Sequence, residues 1–300
     1  MTTGLKTVKP LVINDTTLVS QPAAEDSAPA WVPGTPYAKD SLVRYQHIVY
    51  KNGAATSGMT PPPLDGTIWI AQYPTNTWSL FDPMTSKSTA ANSTLSYSFR
   101  FGQTCNGVFG DGLENVQRMV VTVTDPNYGQ VYQQSMNVGR TIARSSFYLW
   151  HFGPREMTGV LGYFTNLPDY PQATIKVEFF GTVGMKVRNL IVGIVQEWGL
   201  GAEMGASIDF EDYSIKTRDE YGNLKLVPRQ VIRETSMSVS LMRREVDGFV
   251  KFIQDRSAKP TFFIGSSDIE SLNTFGVATA NIAVNYFDIS KVNLKVTSAS

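Results

Sequence analysis

The chain has 300 residues, 42% of them hydrophobic and 17% charged, with 26 Lys plus Arg against 26 Asp plus Glu. That length suggests two or three domains, because single hydrophobic cores stop growing near roughly 250–300 residues. Zero formal net charge gives no global field to gather nucleic acid or an anionic membrane, and a single cysteine, Cys105, excludes an internal disulfide and a multi-thiolate zinc site.

The first residues lack the long apolar core of a signal peptide, and no run approaches the ~20 apolar residues of a membrane span. Synthesis in the cytoplasm, with no membrane insertion, is the expectation. Residues 1–28 hold one short strand candidate at 11–13 and then an Ala/Ser/Pro-rich tether, so they read as an extended N-terminal arm that cannot fold alone.

Residues 29–74 are aromatic and turn-rich. Two short alternating runs, 42–45 and 47–50, flank Gln46 and predict a tiny hairpin, while 51–63 holds Gly, Ser and three successive prolines. So short a segment must draw most of its core from stacked aromatic rings.

Residues 75–195 carry strand-like segments at 97–101, 119–124, 131–136, 146–152, 159–164, 174–180 and 188–195, broken by Asp-Pro, Gly and Asn turns. Many strands without helical periodicity predict a β-sandwich. Residues 196–300 open on the Gly-rich GLGAEMGA, followed by a hairpin with arms 213–218 and 224–229 around DEYGN, where Gly222 can supply a positive φ. Met237, Val239 and Leu241 alternate with serines as in a half-buried strand. Val246, Phe249, Val250 and Ile253 lie on one face of a helix over 243–257, ended by Pro260. Strands at 261–264, 276–286 and 292–297 complete a small barrel or sheet carrying that helix. The fold class is therefore mainly β: a small aromatic domain, a β-sandwich, and a C-terminal β-barrel or sheet with one α-helix.

The spacing of Trp31, Tyr37, Asp40, Val43, Tyr45 and Tyr50, followed by Pro62 and Trp69, resembles the chitin-binding type of carbohydrate-binding module. The sequence departs from that pattern at Lys39, where Gly is usual, and at Gln46 and His47, which reshape the hairpin. The resemblance implies that aromatic faces stack on pyranose rings, with Tyr45, Tyr50 and Trp69 as leading candidates and Trp31 and Tyr37 beside them. The same rings also suffice as the core of a tiny domain.

The string NTWSLFDPMTSKST from Asn76 is similar to the segment that follows such modules in proteins of tailed phages and prophages. Further collinear similarity covers 122–132, 173–182, 190–223 and 260–267. This resemblance implies a virion component of the tail tip or baseplate, laid out like a distal tail protein: a ring-forming β domain plus a galectin- or discoidin-like sandwich. Its implied partners are copies of itself, other tail proteins and host-surface glycan. The hairpin carrying Tyr213, Ile215, Leu224 and Leu226 is the natural candidate for strand pairing between copies, although its mixed charges also suit an ordinary solvated hairpin.

Catalytic signals are sparse. His47 and His151 are the only histidines, and no nucleophile elbow, zincin, P-loop or dinucleotide motif is present. Asp209, Glu211 and Asp212 lie close in sequence but lack calcium-loop spacing, so they read as a charged strand end. No metal and no cofactor are expected. The alternatives to an assembly protein are a carbohydrate-binding accessory protein and a two-carboxylate glycan hydrolase drawing on Glu156, Glu178, Glu197 or Glu203.

Overall fold

The computed structural model describes residues 4–20, 25–82, 87–138, 146–152, 161–203, 205–218, 220–267, 269–284 and 288–299. The chain is mainly β, formed of antiparallel sheets with one long helix. It divides into two compact units, Met1–Pro10 with Gly193–Ser300, and Leu11–Val192. Residues 29–74 thus share a unit with most of 75–195, and the first ten residues belong to the other unit. Among the described residues no helix is long and apolar enough to cross a membrane.

In the first unit, strands follow the order Asn189–Trp198 (from Gly193 onward), Leu5–Pro10, Thr261–Ile264, Asn273–Ala283, Ile289–Ser298, Val231–Met242 and Ser207–Asp212, all antiparallel. The strand sought at 11–13 lies instead at Leu5–Pro10, because Leu5, Thr7 and Val8 are buried between two neighbouring strands. Met237, Val239 and Leu241 point to the same core as Val292, Leu294 and Val296. The helix Arg243–Asp255 covers that core with Val246, Phe249 and Phe252. Trp198 packs edge-on to Phe249 at 5.4 Å, and its Nε1 donates to Thr7 Oγ1 at 2.8 Å.

In the second unit a sheet orders Gly129–Asn137, Glu114–Asp125, Thr174–Val187, Thr94–Phe99 and Leu18–Ser20, with Thr89–Ala91 also on Thr174–Val187. Gly107–Asp111 pairs with Leu161–Phe164. Side chains from both sets, among them Leu95, Phe99, Val108, Val121, Phe164 and Phe179, share one core, giving a sandwich-like packing. Residues 146–152 depart from the strand expectation: Phe147–Phe152 form a short helix. Phe147 stacks on His151 and Tyr148 lies against Phe152, four residues apart, which is helical spacing. The run never alternates apolar with polar, so it has no buried face for a strand to present. Of the expected strand at 159–164, residues 159–160 lie outside the described residues, as do 285–286 of the one at 276–286.

Tyr97 is fully buried, and its hydroxyl donates to the Thr77 carbonyl at 2.9 Å. Burial pushes its phenol far above the ordinary value of 10.0. A raised folded-state pKa gives stability that is complete below the unfolded value and lost as pH climbs past it. Urea denaturation from about pH 8 to about pH 11 should therefore show an alkaline loss of stability that is smaller in Tyr97→Phe. At neutral pH the same variant should cost about 1 kcal/mol, for the lost hydrogen bond.

Candidate functional site

The aromatic module is a three-stranded antiparallel sheet of Leu42–Tyr45, Ile48–Asn52 and Trp69–Pro74. A two-residue turn, Gln46–His47, joins the first pair, with Gln46 in the left-handed region at φ 51°. Tyr50 and Trp69 are only 7% and 3% exposed and, with Val43, form the core of this sheet. Burial pushes the Tyr50 phenol above its ordinary value. Neither ring presents a face on which a pyranose could lie.

Trp31, Tyr37 and Tyr45 are half-buried around that core. Trp31 meets Tyr45 edge-on at 5.4 Å, and Tyr37 meets Trp69 likewise at 5.4 Å. The Trp31 indole Nε1 is buried without a hydrogen-bond partner. Tyr37 Oη accepts from the Val32 amide at 2.8 Å, which closes the loop after Trp31. Gly58 sits at φ +66°, where a Cβ would lie 2.2 Å from the Thr35 carbonyl and 2.8 Å from the Tyr37 ring, so only glycine allows this approach.

Asn52, fully buried, donates from Nδ2 to the carbonyls of Tyr37 and Ala38 at 3.1 and 3.0 Å. Its backbone also pairs with Asp40 and Ser41. It is the hub that fixes the Tyr37–Asp40 loop, and no aromatic pattern announces it. At the rim, the Lys51 ammonium 2.8 Å from Asp40 holds that carboxyl below its usual value.

The NTWSLF segment ties the module to the sandwich. His47 stacks on Trp78 at 3.7 Å, Trp78 meets Phe81 edge-on, and Phe81 meets Tyr97 and Phe99 in the core. His47 also lies 3.1 Å from the Asp15 carboxylate.

The candidate assembly hairpin proves to be the end of a longer two-stranded ribbon. Ser207–Asp212 pairs with the start of Val231–Met242 as far as Asp212 opposite Val231, and Ile215–Arg218 then pairs with Leu224–Val227. The gap is bridged by the Tyr213 amide donating to Gln230 and by the Arg229 amide donating to Ser214 Oγ at 3.0 Å. Gly222, at φ +83°, turns the tip. Tyr213, Ile215, Leu224 and Leu226 are 48%, 40%, 57% and 55% exposed, alongside Phe210 at 69%. Lys216 pairs with Asp212 at 2.7 Å, and that bond, with hydrogen bonds from Ser214, holds the Asp212 carboxyl well below its usual range.

The carboxylates considered for hydrolysis have other partners. Glu178 pairs with Lys176 at 2.8 Å, and Glu197 accepts from the Gly4 amide at 2.7 Å. Glu203 accepts from Ser240 Oγ and pairs with Lys291 at 3.3 Å, which together hold it below its usual value. Glu156 lies outside the described residues. Among the described residues, no three His, Cys, Asp or Glu side chains converge as a metal site requires.

No protein-family model matches the chain, and neither a curated protein nor a solved structure does.

Because Trp69 and Tyr50 are core residues, Trp69→Ala should destabilise the module by about 3–5 kcal/mol in urea denaturation. A Trp69→Ala chain that melts like the parent would contradict this packing.

Proposed function

We propose that this protein is a structural component of a phage tail tip or baseplate, located in the virion tail, that oligomerises through β-edges and works by non-covalent recognition alone. The observation that carries the reading is the ribbon around 209–231. Its strands Ile215–Arg218 and Leu224–Val227 are exposed at every residue, and among the described residues their Ile, Leu and Val side chains join none of the core clusters. A lone two-stranded ribbon is marginal in water, and an exposed β-edge with apolar side chains is a template for another chain. A neighbouring copy or another tail protein would cover those side chains and supply the missing strand. The similarity of 190–223 to tail proteins falls on this same ribbon, and the low share of charged residues suits a protein whose faces are covered in an assembly.

The test is a full-length chain in which 216–226 is replaced by a short turn. It should fold, with an unchanged circular dichroism spectrum, and run as a monomer in light scattering where the parent forms oligomers. Normal oligomers in the shortened chain would sink the proposal.

A second reading, contact with host-surface glycan, is favoured by one feature of the module: Trp31 and Tyr45 are only half-buried and meet edge-on, so both keep area that faces solvent. If that surface binds sugar, Tyr45→Ala in the full chain abolishes retention on chitin or envelope glycan while thermal melting of the sandwich is unchanged. A parent chain that is not retained would rule this reading out.

A further inference from the structure

We infer that the surface receiving the hairpin is the acidic edge strand Ser207–Asp212 of a second copy of this chain. This rests on the assembly reading above and adds the identity of the partner edge. Charge along the ribbon is segregated. Strand Ser207–Asp212 carries three charges, Asp209, Glu211 and Asp212, all acidic, whereas the hairpin strands carry Lys216, Arg218 and Lys225, all basic. In the sequence Asp219 and Glu220 lie between the two paired strands.

Within one chain these opposite charges meet only where Lys216 reaches Asp212. Asp209 is directly opposite Glu234, a like-charge cross-strand pair that disfavours the sheet. Lys295 pairs with Glu234 at 2.7 Å and also feels Asp209 and Glu211, so one cation serves three carboxylates, and Glu211 takes a further hydrogen bond from the Tyr213 hydroxyl. At the other end Arg218 donates to the Gly222 carbonyl, and among the described residues neither it nor Lys225 pairs with a carboxylate. A strand rises about 3.3 Å per residue, so Asp209 and Arg218 are roughly 30 Å apart along the ribbon. They cannot meet in one molecule. They can meet when the tip of one ribbon lies on the base of the next.

The receiving strand is built for such an addition. Ser207–Asp212 has a hydrogen-bonded neighbour on one side only among the described residues. Its other side offers free backbone N–H and C=O groups. Phe210, 69% exposed, projects from the opposite face to Asp209 and Glu211, so an added strand finds an aromatic contact on one face and carboxylates on the other. On the hairpin, Lys216 faces Leu226 and Arg218 faces Leu224 across the pair, so one face combines cations with aliphatic chains. A single tip-on-base contact is heterologous and propagates into rings or helical stacks, whereas two antiparallel ribbons that exchange both contacts close a two-fold dimer.

The test uses two full-length variants, D209K/E211K and R218E/K225E, with oligomer mass read by light scattering near 0.1 M salt, where the Debye length is about 10 Å. Each variant alone places like charges in contact and should self-associate at least about tenfold more weakly than the parent. An equimolar mixture pairs a basic tip with an acidic base and an acidic tip with a basic base, so it should recover the parental mass. Should a reversal perturb folding, D209N/E211N should lose part of the association, and the parental oligomer should dissociate as salt is raised toward about 1 M. If D209K/E211K assembles like the parent while the shortened-hairpin chain is monomeric, assembly stands and this partner edge is wrong. Loss in both variants without recovery in the mixture overturns the pairing as well. Assembly of the shortened-hairpin chain overturns the assembly reading itself.

Discussion

The unit Gly193–Ser300 depends on one insertion: Leu5–Pro10 slides antiparallel between the strand that ends at Trp198 and Thr261–Ile264. Val8 pairs with Val195, and Lys6 and Thr7 pair with Ile264 and Phe263. These contacts close loops of about 190 and 250 residues, as in Trp198 Nε1 to Thr7 Oγ1 and Thr261 Oγ1 to the Val8 carbonyl at 2.6 Å. The entropy of closing such loops grows only logarithmically with length. Burial of Leu5 and Val8 on both faces, together with two ladders of backbone hydrogen bonds, offsets it. Removing the strand would expose the Trp198 edge and the Thr261 edge together, and Trp198 is one of the rings that seat Phe249 of the helix.

The module illustrates how little a residue pattern says about the use of its rings. A sheet of three short strands has almost no aliphatic core, with Val43 and Val49 its fully buried aliphatic side chains. Tyr50 and Trp69 fill the remaining volume, and edge-on contacts from Tyr37 and Trp31 seal it. Large rings at such positions stabilise the fold first, and only those left half-buried can do anything else. The buried amide of Asn52 complements them by satisfying two loop carbonyls that the small sheet cannot pair.

The ribbon is the converse case. It has the alternation, β-branched residues and turn glycine of a sound hairpin, yet between Asp209 and Val231 nearly every described residue is exposed. A native protein does not usually leave seven large apolar side chains in one such stretch, Phe210, Tyr213, Ile215, Leu224, Leu226, Val227 and Val231, so exposed. This exposed apolar surface is what the proposed assembly would cover.

By itself the sequence determined the elements whose signals are local. A short apolar run after Pro260 marked Thr261–Ile264, alternation fixed the core-facing Met237, Val239 and Leu241, and the 3.6-residue period fixed the face of Arg243–Asp255. Gly222 and its neighbours fixed the hairpin. The tertiary structure decided what depends on distant partners. Leu5–Pro10 looks like a polar arm until strands some 190 residues away bury it, and Phe147–Phe152 looks like a strand until no neighbouring edge claims it. Tyr50 and Trp69 carry the spacing of a sugar platform, but Val43, Tyr37, Ile68 and the neighbouring rings pack over them. Ser207–Asp212 reads as a charged strand end, and only its position at the rim of the sheet shows that one of its edges has no neighbouring strand among the described residues. Period and turn chemistry act over a few residues, whereas burial and edge exposure are set by which strands meet, and that is written in no single segment.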